Sequence, residues 1–293
     1  MTHSDDVREF LTSRRARITP EQAGLPAYGG NRRVKGLRRE EVAMLAGMSV
    51  DYYTRLERGG LSSASDSVLE ALARALQLDE AETSHLYDLA RAADVAPRVR
   101  RRRSPTTVRP SLQRVIDAIV TAPAWIRNDR GDVLAANELG RALYLDLMAE
   151  TVQPPNNSRF TFLNPKARDF YSNWEQAADD IVAILRQAAG RNPYDRDLTD
   201  LIGELSTRSE EFRVRWARHD VRYHRTGRKR IHHPIVGDLD LAFEALELPG
   251  DPGLRVNVYT ADPGTPSEDA LTLLAAWAAT QAADRAATPA PET

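Results

Sequence analysis

Leu37–Gly59 reads LRREEVAMLAGMSVDYYTRLERG, and its pattern is that of two short helices folded across a tight turn at Gly47. In the first half Leu37, Val42, Leu45 and Ala46 recur at helical spacing, with Arg38, Arg39, Glu40 and Glu41 on the opposite side. Gly47 follows the last periodic residue, where a helix ends by entering a left-handed conformation that costs glycine little, and Met48 can tuck back beneath it. Ser49 is placed to cap a second helix, Val50 to Glu57, which Gly59 stops. Tyr53 and Leu56 fall on its inward side. Val50, Asp51, Tyr52 and Arg55 then share the outward face, at the positions a recognition helix uses to reach base edges in a major groove.

These residues resemble the phage-repressor-like, or XRE-type, helix-turn-helix family. Ala43, Gly47, Ser49 and Leu56-Glu57-Arg58-Gly59 fall where that family keeps its small packing residue, turn glycine, cap and terminal LERG-like sequence. A first helix near Asp5 to Arg17, a fourth opened by Ser65-Asp66-Ser67 ahead of VLEALARALQL, and a fifth from Asp79 to about Arg91 extend the likeness over the first ninety or so residues. The family often has Gln where Arg39 stands, so a phosphate contact there would be ionic. A segment longer than usual, Ile18 to Lys35, separates the first two helices.

Charge points the same way. From Arg14 to Arg58 there are ten Lys and Arg against five Asp and Glu, whereas the whole chain carries a formal charge of −2. Positive charge is therefore concentrated where DNA phosphate would lie. The expected partner is double-stranded DNA. Arg55 suits a bidentate bond to guanine, Asp51 can accept from a cytosine amino group, and Tyr52 can pack on a thymine methyl. Arg38, Arg39, Ser49 and Arg58 are assigned to phosphate contact and docking register. Two such units related by a twofold would predict a homodimer on a palindromic operator, with half-sites about one helical turn, ~34 Å, apart.

Outward from this segment, 293 residues exceed what a five-helix domain needs. The reading is residues 1–95 as the helix-turn-helix domain, 96–110 as a basic, proline-flanked linker containing PRVRRRRSP, 111–284 as a second domain, and 285–293 as a disordered, proline-rich tail. In the second domain Leu112, Val115, Ile116 and Ile119 form an apolar helical stripe. Ala124–Asn128 and Val133–Ala136 alternate as strands across the turn DRGD. Helical patterns follow from about Pro165 to Ala189 and from Asp195 to Ala217. Arg228–His233, Asp238–Leu248 and Leu254–Thr260 then read as three antiparallel strands, and Thr265, Pro266 and Glu268 place a capping box ahead of a last helix through Trp277. The fold class is thus two domains: an all-α five-helix helix-turn-helix domain, then an α+β domain with a five-stranded antiparallel sheet and helices.

That order, with PAWIRNDRGDVLAANELGRALY, HHPIVGDLDLAFEAL and LRVNVYTADPGTPSEDALTLLAAW, resembles the ligand-binding domain of MmyB-like transcription regulators over about Val108 to Trp277. The resemblance implies a PAS-like sensor enclosing a small, largely apolar effector, with fatty acids as the associated class, and no further cofactor. From the residues alone, a pocket between sheet and helices would draw on Trp125, Phe162, Phe170, Trp174, Phe212, Trp216, Phe243 and Tyr259, each of which also suits a plain core. Arg213, Arg215 and Arg222 are solvated arginines as readily as carboxylate anchors.

Other chemistries find no footing. The chain has no cysteine, which excludes disulfides and thiolate sites and fits a cytoplasmic protein. No apolar stretch approaches the ~20 residues that span a bilayer, so no membrane partner is expected. His219 and His224 lack metal-binding spacing, and His232 and His233 would point to opposite faces of a strand, so no metal site is assigned. No Gly-x-Ser-x-Gly, phosphate-cradling glycine loop or HExxH stands in the sequence, and no catalytic residue is named. The expectation is a ligand-responsive DNA-binding regulator and not an enzyme; the alternative is a protein-interaction adaptor that does not bind DNA.

Overall fold

The structure, a computed structural model, describes residues 3–25, 34–94, 105–218 and 226–287. Most of the basic linker, part of the Ile18–Lys35 segment, His219, Arg222, His224 and the last six residues lie outside the described set. The chain forms two compact units: Met1–Arg102 with Arg186–Asp200 and Val214–Tyr223, and Arg103–Leu185 with Leu201–Arg213 and His224–Thr293. The first unit thus takes in two stretches from beyond the linker.

In the first unit, α1 (His3–Arg17), α2 (Arg39–Leu45), α3 (Val50–Glu57), α4 (Asp66–Ala75) and α5 (Glu80–Asp94) pack around Phe10, Leu11, Leu37, Tyr53, Leu56 and Leu72. Helices as short as α2 and α3 are not stable alone, and burial of their apolar face, worth about 1.5–3 kcal/mol per large side chain, holds them. Asp79 and Glu82 cap α5 reciprocally: the Glu82 N–H donates to Asp79 Oδ1 at 2.8 Å and the Asp79 N–H to Glu82 Oε2 at 3.1 Å. Glu82 also accepts from Arg14 at 3.0 Å and from Arg17, which ties α1 to α5.

The second unit is built on a five-stranded antiparallel sheet in the order β2-β1-β5-β4-β3. Its strands are β1 (Ala124–Asn128), β2 (Val133–Ala136), β3 (Thr226–His233), β4 (Gly237–Glu247) and β5 (Leu254–Thr260). Side-chain alternation divides the sheet. Ala124, Ile126, Leu254 and Val256 meet Leu112 and Ile116 of α6 (Pro110–Asp117). Trp125, Phe243 and Tyr259 face the larger core. There they meet α7 (Glu138–Leu143), α8 (Leu145–Met148), α9 (Asn157–Leu163), α10 (Lys166–Phe170), α11 (Trp174–Arg191) and α14 (Pro266–Ala287). Between α11 and β3 run α12 (Arg196–Arg208) and α13 (Glu210–Trp216).

Several elements differ from the sequence reading. The helix expected from Pro165 to Ala189 is two helices, because Ser172 N–H donates to Arg230 O and Tyr171 bridges Ile231, which pulls the chain briefly onto β3. A separate helix, α9, is nucleated by Asn156, whose side chain accepts from Arg159 N–H at 2.9 Å. At the start of α14 Glu268 closes on Gly264 N–H at 2.7 Å while the Thr265 hydroxyl donates to Asp262 O. The Glu268 half of the expected capping box therefore closes one residue earlier, on Gly264, without the reciprocal Thr265 bond, and α14 runs on to Ala287, past Trp277 and into the stretch assigned to the tail.

The β1–β2 turn is held by a buried polar network. Asn128 Oδ1 accepts from the N–H groups of Arg130 and Asp132, both at 3.0 Å, and Gly131 takes φ +86°. Asp132 accepts from Asn128 Nδ2, Arg130 Nε and Asn156 Nδ2 at 2.9, 3.1 and 2.7 Å. A carboxylate with this many donors is well compensated for burial.

Candidate nucleic-acid interface and effector cavity

The outward face of α3 is set by what anchors its inward face. Gly47, at φ +66°, ends α2: Met48 N–H donates to Ala43 O at 2.9 Å and Gly47 N–H to Met44 O at 3.2 Å. Ser49 Oγ then accepts from Tyr52 N–H at 3.2 Å and starts α3. Beneath, Glu57, 1% exposed, gathers three elements. Arg15 of α1 donates to its Oε1 at 2.7 Å, Arg39 of α2 donates to its Oε2, and Tyr53 of α3 donates to Oε1 at 3.3 Å. Burial alone would raise the Glu57 pKa, but the hydrogen bonds and charges of Arg39 and Arg15 outweigh it and hold the carboxyl below its ordinary range. The Tyr53 hydroxyl is pushed up by burial and by the Glu57 charge, so it remains a neutral donor.

With α3 fixed this way, Val50, Asp51 and Arg55 are exposed, and Val50 keeps 43% of its surface open to solvent. Tyr52 is half-buried, and the Arg55 guanidinium carbon lies 4.9 Å from its ring centroid, so two base-reading candidates form one stacked pair. Arg38 and Arg58 are exposed, with Arg38 3.5 Å from Glu40. The Arg39 side chain is half exposed and its Nε is committed to Glu57, so it also joins α2 to α3. Met44, 62% exposed on α2, is an apolar surface residue the sequence reading did not single out.

In the second unit a cavity opens on the large-core face of the sheet. It is lined by Trp125 and Arg127 of β1, Asn257 and Tyr259 of β5, Lys229 of β3, and Tyr144, Asn157 and Tyr171 from the helical layer. Ala177, Asp180, Ile181 and Ile184 of α11 complete it. Tyr144 donates to the Tyr259 hydroxyl at 2.8 Å and stacks on Trp125 at 4.6 Å. Tyr171 donates to Asn157 Oδ1 at 3.0 Å, and Lys229 Nζ to Asp180 Oδ2 at 2.7 Å. Burial pushes all three tyrosine hydroxyls up, and for Tyr259 the donors around it partly oppose the shift.

Of the eight aromatics named from sequence, Trp125 and Tyr259 line this cavity. Phe243 packs 6.2 Å from Tyr259, and Phe170 sits behind Tyr144 at 5.3 Å. Phe162, Trp174 and Phe212 form their own cluster, with ring separations of 6.0 and 5.1 Å about Phe162. Trp216 belongs to the other unit, where its ring lies 4.1 Å from the Arg186 guanidinium. The polar lining residues Arg127, Asn157, Asp180, Lys229 and Asn257 were missed. Strand alternation could have found two of them, since Arg127 and Asn257 lie two residues from Trp125 and Tyr259. A second, more open groove of about 340 Å³ lies between α7, α8 and α14, lined by Leu145, Met148, Trp277 and Ala278 with Glu138 and Arg141.

His232 and His233 do point to opposite faces. His232 is exposed beside Asp238 at 2.6 Å, whereas His233 is buried against Ala142 O at 2.9 Å and burial lowers its pKa. No described helix is long and apolar enough to cross a membrane.

A helix-turn-helix that turns a polar helical face to solvent, joined to an α+β domain with an internal cavity, defines a class: a DNA-binding regulator with a small-molecule domain. Residues 9–86 match a helix-turn-helix domain model, and residues 108–274 match that of the MmyB-like transcription regulator ligand binding domain. The chain belongs to the MmyB-like transcription regulators, a family of regulators and not of enzymes. The comparison with curated proteins returns no match.

Proposed function

We propose that the protein acts as a homodimer on a palindromic operator and that a small molecule in the second domain tunes its affinity for that DNA. The observation that carries the DNA part is the α3 face: Val50, Asp51, Tyr52 and Arg55 turned outward on a helix locked from behind by Glu57. A twofold pair of such helices would read two half-sites in successive major grooves.

Effector control follows from linkage: a ligand shifts the population of DNA-competent dimers by its differential affinity for them. The matched ligand binding domain, with a cavity lined by Ala177, Asp180, Ile181 and Ile184 of α11, supports this reading. A fatty acid, the class the family resemblance implies, is one candidate effector. In vitro selection from random DNA by the purified chain tests the first part. Enrichment of a palindrome is expected; a single isolated half-site held by a monomer would overturn the dimer, and enrichment of nothing at any salt would favour an adaptor. Titrating effectors against operator affinity tests the second.

A further inference from the structure

We infer that the cavity between the sheet and α11 is the binding site of one ordered water molecule, which bridges the Trp125 indole N–H of β1 to the Asn257 amide oxygen of β5.

Strand register brings these two groups together. Trp125 and Asn257 stand directly opposite one another in the β1–β5 pairing. Opposed residues carry their side chains on the same face, with Cβ atoms about 4.5–5.5 Å apart. Both are deeply buried, Trp125 at 2% and Asn257 at 3% exposure, and both line the cavity. Neither Trp125 Nε1 nor Asn257 Oδ1 has a hydrogen-bond partner among the described residues. Buried polar groups without partners are costly and rare in native proteins, and here a donor and an acceptor face one small space.

Tyr259 supplies a third group. It lies two residues along β5 from Asn257, hence on the same face of the sheet. Tyr144 donates to its hydroxyl at 2.8 Å, which leaves the Tyr259 proton to be given elsewhere. Trp125 and Asn257 both hold the Tyr259 pKa down against the effect of burial, which places their polar ends about that hydroxyl.

Size and chemistry then choose the occupant. The free volume is about 20 Å³. A water needs roughly 10–15 Å³ and two to four polar partners, and both conditions are met. An organic guest would need the walls to move. The occupant must accept from an N–H and donate to a carbonyl oxygen: chloride only accepts and ammonium only donates, whereas water does both. Nor does the lining call for an ion. Lys229 and Asp180 answer each other at 2.7 Å, and Arg127 donates to Asn128 O at 3.4 Å. The water thus links β1 to β5 where the two side chains do not bond directly.

The test combines a crystal structure of the full-length protein, at a resolution that shows ordered water, with oxygen-17 relaxation dispersion, which counts long-lived internal waters. A single water peak about 2.7–3.2 Å from both Trp125 Nε1 and Asn257 Oδ1 is expected. Asn257→Leu, which removes the acceptor and keeps the bulk, is expected to lose one long-lived water relative to the unaltered chain. The structure of the unaltered protein decides the matter even if that variant does not fold. Three results overturn the assignment: the two atoms bonded to protein groups with nothing between them, a larger molecule in the space, or unchanged dispersion in a folded Asn257→Leu. A larger molecule there would leave effector control standing while the water site falls; the water in place, with an operator affinity that no effector moves, would do the reverse.

Discussion

The two units place their polar side chains differently. Around α3, every charge taken out of water is neutralised at once: Glu57 by Arg15 and Arg39, and Glu82 by Arg14 and Arg17. The chemistry that remains faces solvent, on Val50, Asp51, Tyr52 and Arg55. In the sheet unit Arg127 and Asn257 are buried, and the Lys229–Asp180 pair half-buried, around an internal space. One region spends its ion pairs on rigidity so that an outer face is preorganised. The other keeps polarity inside, where a guest can meet it. Variants of the first kind should therefore move stability or DNA affinity, and variants of the second should move the effector response.

The largest effect is expected at Glu57. Glu57→Ala strands Arg15, Arg39 and the Tyr53 hydroxyl beside a buried hole and should cost about 3–5 kcal/mol, read as an earlier denaturant transition. The sign with pH is set by the lowered pKa of Glu57. Its contribution is fully present above the ordinary carboxylate pKa and is lost as pH falls through the depressed folded value. The variant should lose that acid sensitivity; an unchanged transition at neutral pH would show that Glu57 does not lock α3.

Asp132→Ala tests the sheet unit in the same way. It removes the acceptor of Asn128, Arg130 and Asn156 at the β1–β2 turn, and a loss of about 2–3 kcal/mol is expected in the same assay. The Glu57 and Asp132 losses should add if the two sites are independent.

Asp6 runs against this trend. Burial raises its pKa to about 6, opposed by the Arg186 charge and reinforced by Glu9. The folded state holds this proton more tightly than the unfolded chain, so the stability it contributes is greatest in acid and falls as pH rises from about 4 to about 6. Asp6→Asn should remove that slope and stabilise the chain at neutral pH by about 1–2 kcal/mol after allowance for partial solvent access. Denaturation at two pH values checks it, and equal gains at pH 4 and pH 7 would refute it.

The two regions also differed in how far they could be read in advance. The helix-turn-helix was legible because its determinants are local: a turn glycine, a capping serine and apolar spacing all sit within Leu37–Gly59, and the outward-facing set follows from helical geometry. Even there the bond of Arg39 to Glu57 was not legible, because the two are eighteen positions apart. The end of α4 gave no signal, since Gln77 takes φ +46° where glycine would be expected. All five strands were legible from alternation and turns. The cavity was not, because it is assembled from three strands, α11 and the residues around α7, α9 and α10, and bulk was used to choose its residues where facing direction was needed. Trp125 and Tyr259 were found by size; Arg127 and Asn257, on the same face of the same strands, were not.

The outer face itself gives the smaller effects. Arg55→Ala should weaken operator binding by about 1–3 kcal/mol and relax preference at one base-pair position, with Tyr52 losing the guanidinium that stacks on it. Arg58→Ala should do less, and differently. Arg58 is exposed at the C-cap of α3, where a phosphate contact is expected, so its loss should weaken all sequences alike and lower the slope of affinity against salt by about one. Measuring both variants on operator and scrambled DNA across a salt series separates reading from holding. If Arg55→Ala proves uniform and Arg58→Ala selective, the face of α3 is turned about its axis from the orientation that Glu57 imposes, and the first of the two regions is the one to redraw.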